Sequence, residues 1–214
     1  MKYLIPPLSL LMFSYLSVSQ SLCAQTDTEI VYVEDLKEEA RNQLDRIMNN
    51  YDLDDWIFTD VIKVVHGEDA RSYPILQINT NHLDDDEVQL SVFVHENAHK
   101  FVADDAKDEE EEEVIRELRK LYPNPPEPDQ RNLYHHIMVV WLEFDALIEI
   151  FGEDEAENII HRKIDYYTKG EPDSPLSQNY IWYNKTVMEN PDVIGKLMDE
   201  YGFNINKRKG IVIQ

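Results

Sequence analysis

The sequence predicts an α+β chain, with a small mixed sheet and helices in its N-terminal half and helices almost alone after that. Three observations lead there. Short β-branched or aromatic runs bounded by turn residues cluster before residue 80. Apolar residues at three- and four-residue spacing recur in the segments after residue 106. The ends of those segments carry helix punctuation: Pro175 and Pro191 at first turns, and Gly152, Gly170 and Gly202 just past last turns.

Composition narrows the class. The 214 residues are 43% hydrophobic and 10% aromatic, enough apolar side chain for one core, which argues against wholesale disorder. The 43 acidic residues outnumber 20 basic ones for a net charge of −23. Nucleic acid is a poor partner for such a chain, because phosphate binding draws on basic side chains, and the one basic cluster is Lys207, Arg208 and Lys209.

Residues 1–24 read as a secretory signal peptide. Met1 and Lys2 give a charged start, Leu4 to Val18 an apolar run, and Leu22, Cys23 and Ala24 a small-residue end before Gln25. Pro6, Pro7 and the shortness of the uninterrupted apolar stretch argue against a membrane span, and no later segment suits one. Lipid anchoring through Cys23, the only cysteine, needs a small residue before it, and Leu22 stands there instead. Cleavage after Ala24 is therefore preferred, giving an exported chain, periplasmic or extracellular, without a disulfide.

Thr28 to Val33 reads as a strand, and Glu34 to about Asn49 as a helix through Leu36, Ala40, Leu44 and Ile47. Trp56 to Val65 is a second strand and Tyr73 to Asn79 a third, with Pro74 near its start as an edge strand tolerates. The acids Asp84 to Glu87 suit a helix N-terminus, and that helix runs to about Asp104. Helices follow over about 107–121, 130–151, 153–168, 175–189 and 191–201, with Ile211 to Ile213 as a late strand. The mature chain thus divides into an N-terminal α+β lobe, 25–106, and a helical lobe, 107–214, connected by the stiff Pro123 to Pro128 stretch.

Residues 95–99 read His-Glu-Asn-Ala-His. On a helix, His95 and His99 lie about 40° apart on one face, so both imidazoles can meet one tetrahedral ion. Glu96 is offset by about 100° and can reach a metal-bound water as general base without displacing a ligand. Both histidines fall inside the apolar stripe of Val88, Val92, Ala98 and Val102, where polar rings need partners. Imidazole ligands and an undemanding geometry point to zinc.

Three protein ligands would leave one position for water, so a third is expected. Helix 130–151 places Glu143 between Leu147 and Val140 on one side and Ile150 and Val139 on the other, an acid inside an apolar arc whose burial a cation would relieve. His136 lies two turns earlier on nearly the same line. Glu143 is the first choice for the third ligand, His136 the second, and Asp105, six residues past His99, the third.

This arrangement resembles the zincin superfamily of metallopeptidases, and more narrowly its gluzincin branch, with His95, His99 and Glu143 as ligands and Glu96 as base. The resemblance implies a zincin-like fold over about residues 28–152 and zinc-dependent hydrolysis of peptide bonds in a peptide or protein substrate. It also implies that Tyr73 to Asn79 pairs with substrate backbone as an edge strand. Related enzymes stabilise the oxyanion with a histidine or tyrosine, for which His135, His136, His161, Tyr180 and Tyr183 are available, Tyr180 and His136 foremost. Gluzincins commonly carry an acid four residues past the ligand glutamate to orient the first histidine; Leu147 stands there, so Asp145 or Asp104 would have to serve.

Two other readings compete with a metallopeptidase. One is a zinc-stabilised binding or scaffold protein of the same fold without turnover. The other is an acidic calcium-binding surface module built on Asp84 to Glu87 or on Asp108 to Glu113, although neither stretch has the spacing of an EF-hand loop. The latter run is expected to form solvated first turns of its helix.

Overall fold

The computed structural model describes residues 33–105, 108–127 and 131–205. The expected signal peptide, the strand expected from Thr28 up to Val33 and the expected late strand at Ile211 lie outside them. Helix α1, Val33–Asn50, buries Ala40, Gln43, Leu44 and Ile47, one stripe at helical spacing. Asp54–Trp56 is a single 3-10 turn whose Trp56 enters the core. Strand β1, Ile62–Val64, pairs in parallel with β2, Leu76–Ile78, in the register Ile62 to Leu76, Lys63 to Gln77 and Val64 to Ile78.

Both strands are shorter than the sequence suggests. The reason at the first is local: the amide of Phe58 donates to Asn97 Oδ1 at 3.0 Å, so a helix side chain satisfies backbone that a strand neighbour would otherwise take. Asn97, inside the His-Glu-Asn-Ala-His motif, therefore pins the segment that passes beneath it. At β2, Gln77 N and O are both bonded to Arg71, at 2.7 and 3.0 Å. That corrects the expectation of an open edge for substrate backbone, because the central residue of the edge already has an internal partner.

Helix α2, Asp86–Asp105, begins beneath Asp85, whose side chain accepts from the Val88 amide at 3.0 Å. The expected stripe of Val88, Val92, Ala98 and Val102 is buried, and so are Leu90, Phe93, Val94 and Phe101. Helix α3, Asp108–Leu121, buries Val114, Ile115 and Leu118. Helix α4, Arg131–Phe151, is the central element: it packs against α2, α3 and the three helices that follow, α5 (Glu153–Thr168), α6 (Pro175–Glu189) and α7 (Pro191–Glu200). Its run from Ile137 to Phe144 is buried without interruption. One core cluster draws on every helix, so both halves of the chain share it.

The expected helix ends hold. Ser174 caps α6, accepting from the Ser177 amide at 3.2 Å, with Pro175 at the first turn. Gly152, between α4 and α5, adopts φ +84°, which a side chain would resist. Gly195 is needed for another reason: a Cβ there would come within 3.0 Å of the Trp141 ring, so its absence lets α7 lie close on α4. No helix among the described residues is long and apolar enough to cross a membrane.

Two acids at the start of α2 are paired within the protein. Asp86 is bonded to Arg46 at 2.9 Å and to Gln43 at 3.0 Å, and Glu87 to Arg162 at 2.5 Å. Just before them, His82 is buried against the rings of Tyr166 and Tyr167 of α5. Burial pulls its pKa from 6.5 to about 4, with Lys163 adding to the effect. The stability held by its neutral form is complete above about pH 6.5 and is lost as the pH falls toward 4, because the unfolded chain takes up the proton first. Chemical denaturation between pH 7 and 4 should show a shallower loss for His82→Gln than for wild type, and parallel curves would show that His82 does not contribute.

Candidate metal centre

The site forms where α2 crosses α4. One donor atom from each of His95, His99 and His136 lies within 4.8 Å of the others, a spacing that suits a single ion. His95 and His99 come from successive turns of α2, their ring centres 5.0 Å apart, and His136 closes the triangle from α4, 5.0 Å from His99 and 6.1 Å from His95. The third side chain close enough to share an ion with them is thus His136, while Glu143, the first choice, lies behind His95. Asp105, the other alternative, has a side chain outside the described residues.

Which nitrogens face the ion follows from the hydrogen bonds. His95 Nδ1 lies 2.7 Å from Glu143 Oε2, and an ionised carboxylate only accepts, so Nδ1 carries the hydrogen and Nε2 the free lone pair. His136 Nδ1 donates to the carbonyl of Asn132 at 2.7 Å, with the same consequence. His99 Nδ1 meets His135 Nε2 at 3.1 Å, and His135 Nδ1 in turn donates to Glu111 Oε1 at 2.7 Å. A neutral His135 then accepts at Nε2, which makes His99 Nδ1 the donor. All three imidazoles are left with Nε2 for an ion, and each has an orienting partner on its far side, the usual support of a metal-binding histidine.

Glu143 is fully buried and held by three donors: His95, Ser91 Oγ of α2 and Lys163 Nζ of α5. Burial pushes its carboxyl up, but Lys163 and His95 more than reverse this, so it stays ionised well below the usual carboxylate range. Glu143 is thus the carboxylate that holds His95, a task the sequence reading had offered to Asp145 or Asp104. Asp145, offered for that task, instead sits near Glu149 and Asp199, where burial and those charges raise it to about 6. Asp104, offered beside it, has a side chain outside the described residues.

Burial lowers the pKa of His99 and His136, the latter to about 4, and the neighbouring His95 adds to both shifts, which keeps the rings in the neutral form that binds metal. Glu96, 8% exposed, shares a cleft of about 330 Å³ with His95 and His136. Burial raises its pKa, against the pull of His95 and Lys163, and moves it toward the range useful to a general base. Tyr180 and Tyr183 line the same cleft, and Tyr183 stacks on His136 with ring centres 5.1 Å apart. His161 lies on the exposed face of α5, away from the donors. With His136 placed among the three converging imidazoles, Tyr180 and Tyr183 are the hydroxyl donors at the cleft that the sequence had offered.

Ser91, Lys163 and Glu111 escaped the sequence reading, and His135 was offered there for another role. Lys163 could have been found, because it falls between Ile159, Ile160 and Ile164 on the buried stripe of α5, where a lysine needs a partner. His135 and Glu111 had weaker signals: a histidine doublet and one acid within a run of acids. Glu111 is only 7% exposed and also pairs with Arg131 at 2.8 Å, so part of the acidic run turns inward against the expectation of a solvated face.

No protein-family model, curated protein or solved structure matches the chain.

Competition titration with a chromogenic chelator should show His136→Ala losing most of the metal affinity. His135→Ala should lose about 10- to 100-fold, the usual effect of removing an orienting partner. Glu143→Gln should lose affinity and also about 3–5 kcal/mol of folding stability, since Lys163 is left buried without its countercharge. If Glu143→Gln abolishes binding while His136→Ala leaves it intact, the donor assignment is reversed.

Proposed function

We propose that the chain is an exported zinc-dependent metallopeptidase of zincin type. The observation that carries this is the convergence of three imidazoles, two of which line a cleft together with a buried carboxylate one residue from the first of them. The donor set is all nitrogen, which favours zinc over calcium or magnesium, ions that take oxygen ligands.

A bound zinc would supply Lewis acidity toward a carbonyl oxygen and toward a water in the fourth position. The chain's own groups supply the rest. Glu96 takes a proton from the attacking water at its carboxylate and delivers it to the leaving amine, a shuttle that suits a carboxyl whose pKa is raised by burial. Tyr180 and Tyr183 hold their hydroxyl protons at any working pH, because burial raises both, and either can donate to the oxygen that gains charge. Glu143, Asn132 and His135 keep the three rings oriented while this happens.

The alternative, a zinc-stabilised scaffold, draws on the same core, since Glu143 with Ser91, Lys163 and His95 binds α2, α4 and α5 together. Glu96→Gln decides between them. It should retain zinc, as read by elemental analysis, and lose about 10²- to 10⁴-fold in cleavage of a mixed peptide library, the usual cost of a missing general base. Zinc retention with no cleavage by wild type would leave the scaffold reading.

A further inference from the structure

The cleft extends beyond the donors along a wall of three tyrosines. Tyr167 of α5 lies 5.0 Å from Tyr180 of α6, and Tyr180 lies 5.3 Å from Tyr183, measured between ring centres. Tyr183 stacks on His136, so this wall begins at the metal centre itself. Asp69, an exposed residue whose carboxylate makes no hydrogen bond or ion pair with a described residue, lines the same cleft. At the rim Leu176 is 80% exposed, an apolar side chain facing solvent at the mouth of a cleft.

The charges in the lining point one way. Lys163 is the only lysine or arginine there, and its ammonium is bound by Glu143 from behind. Asp69 and Glu96 are the acids, and the lining histidines His95 and His136 are spoken for as metal donors. The three phenol rings of the lining carry negative potential over their faces, which attracts a cation. An anionic side chain would meet two carboxylates with no free countercharge. A long basic side chain matches the whole set, with its methylene stem against Leu176 and the ring faces and its head toward the tyrosines and Asp69. The surrounding field, from a net charge of −23, draws the same class of substrate.

We propose that the tyrosine-walled part of the cleft is a specificity subsite for a lysine or arginine side chain of the substrate, with Asp69, Tyr167 and Tyr180 as its recognition residues. This rests on the peptidase reading for its biological use, but binding alone can test it.

The probe is a set of fluorescein-labelled pentapeptides, identical except for a central arginine, lysine, norleucine, phenylalanine or glutamate. Anisotropy is measured on the full chain after chelator treatment, so that turnover cannot interfere. The arginine and lysine peptides should bind at least about 5-fold more tightly than the norleucine peptide, within the range of one partly desolvated cation–ring contact. Asp69→Asn, a surface change that leaves the backbone bond from Gln77 to Asp69 in place, should remove about half of that advantage or more while the thermal midpoint stays unchanged. Tighter binding of the phenylalanine or norleucine peptide, equal binding of all, no binding at millimolar concentration, or an advantage that Asp69→Asn leaves untouched would each overturn the proposal. Cleavage by the zinc-loaded wild type is scored separately. Cleavage without basic preference sinks the subsite and spares the peptidase, whereas basic-selective binding without cleavage does the reverse.

Discussion

Everything at the centre of this protein depends on one buried carboxylate. Glu143 has no access to water, and an acid so placed is tolerated only when it is ionised among donors or neutral and bonded. Here Lys163, Ser91 and His95 surround it, each from a different turn or helix, so its burial is compensated only when α2, α4 and α5 are all in place. The carboxylate is therefore both a folding constraint and the support of the metal centre. It fixes His95 in the tautomer a metal needs, and its own charge is balanced by a lysine that never reaches solvent.

The same logic extends outward from the other two imidazoles. His136 is held by a carbonyl of its own helix, which costs the fold nothing beyond the helix itself. His99 is held at one remove, through His135 to Glu111, and so its orientation depends on α3 docking against α4. One ligand is secured locally, one by a buried ion pair and one by a chain that crosses three helices. A set of imidazoles with every far nitrogen occupied is preorganised, since little side-chain freedom remains to be lost when an ion arrives.

The sheet serves this centre from beneath rather than presenting an edge to substrate. Its two short strands form a floor on which α2 rests, with Asn97 reaching down to Phe58 and Arg71 closing the middle of the outer edge. The cleft is lined by α2, α4, α5 and α6 and by the segment that carries Asp69, with tyrosines rather than strand amides in its wall. The resemblance to zincins rests on the motif residues His95, Glu96 and His99. The third converging imidazole, His136, and the acid behind His95, Glu143, stand in places that this resemblance alone did not indicate.

Much was legible in the chain itself. Helix positions were readable because apolar periodicity and end signals such as Ser174 with Pro175 are local, acting within a few residues. His95, Glu96 and His99 were readable because a helix fixes the relation of residues four apart, and an acid at position 143 was readable as an anomaly in an apolar arc. What that acid does was not readable, because its partners lie 20 to 52 positions away and nothing local distinguishes an ion's ligand from a ligand's support. Glu143 and His136 sit on one helix, near one line, and both suit a metal. Only the packing of α4 against α2 decides that the imidazole comes within reach of the other two while the carboxylate meets the far nitrogen of His95.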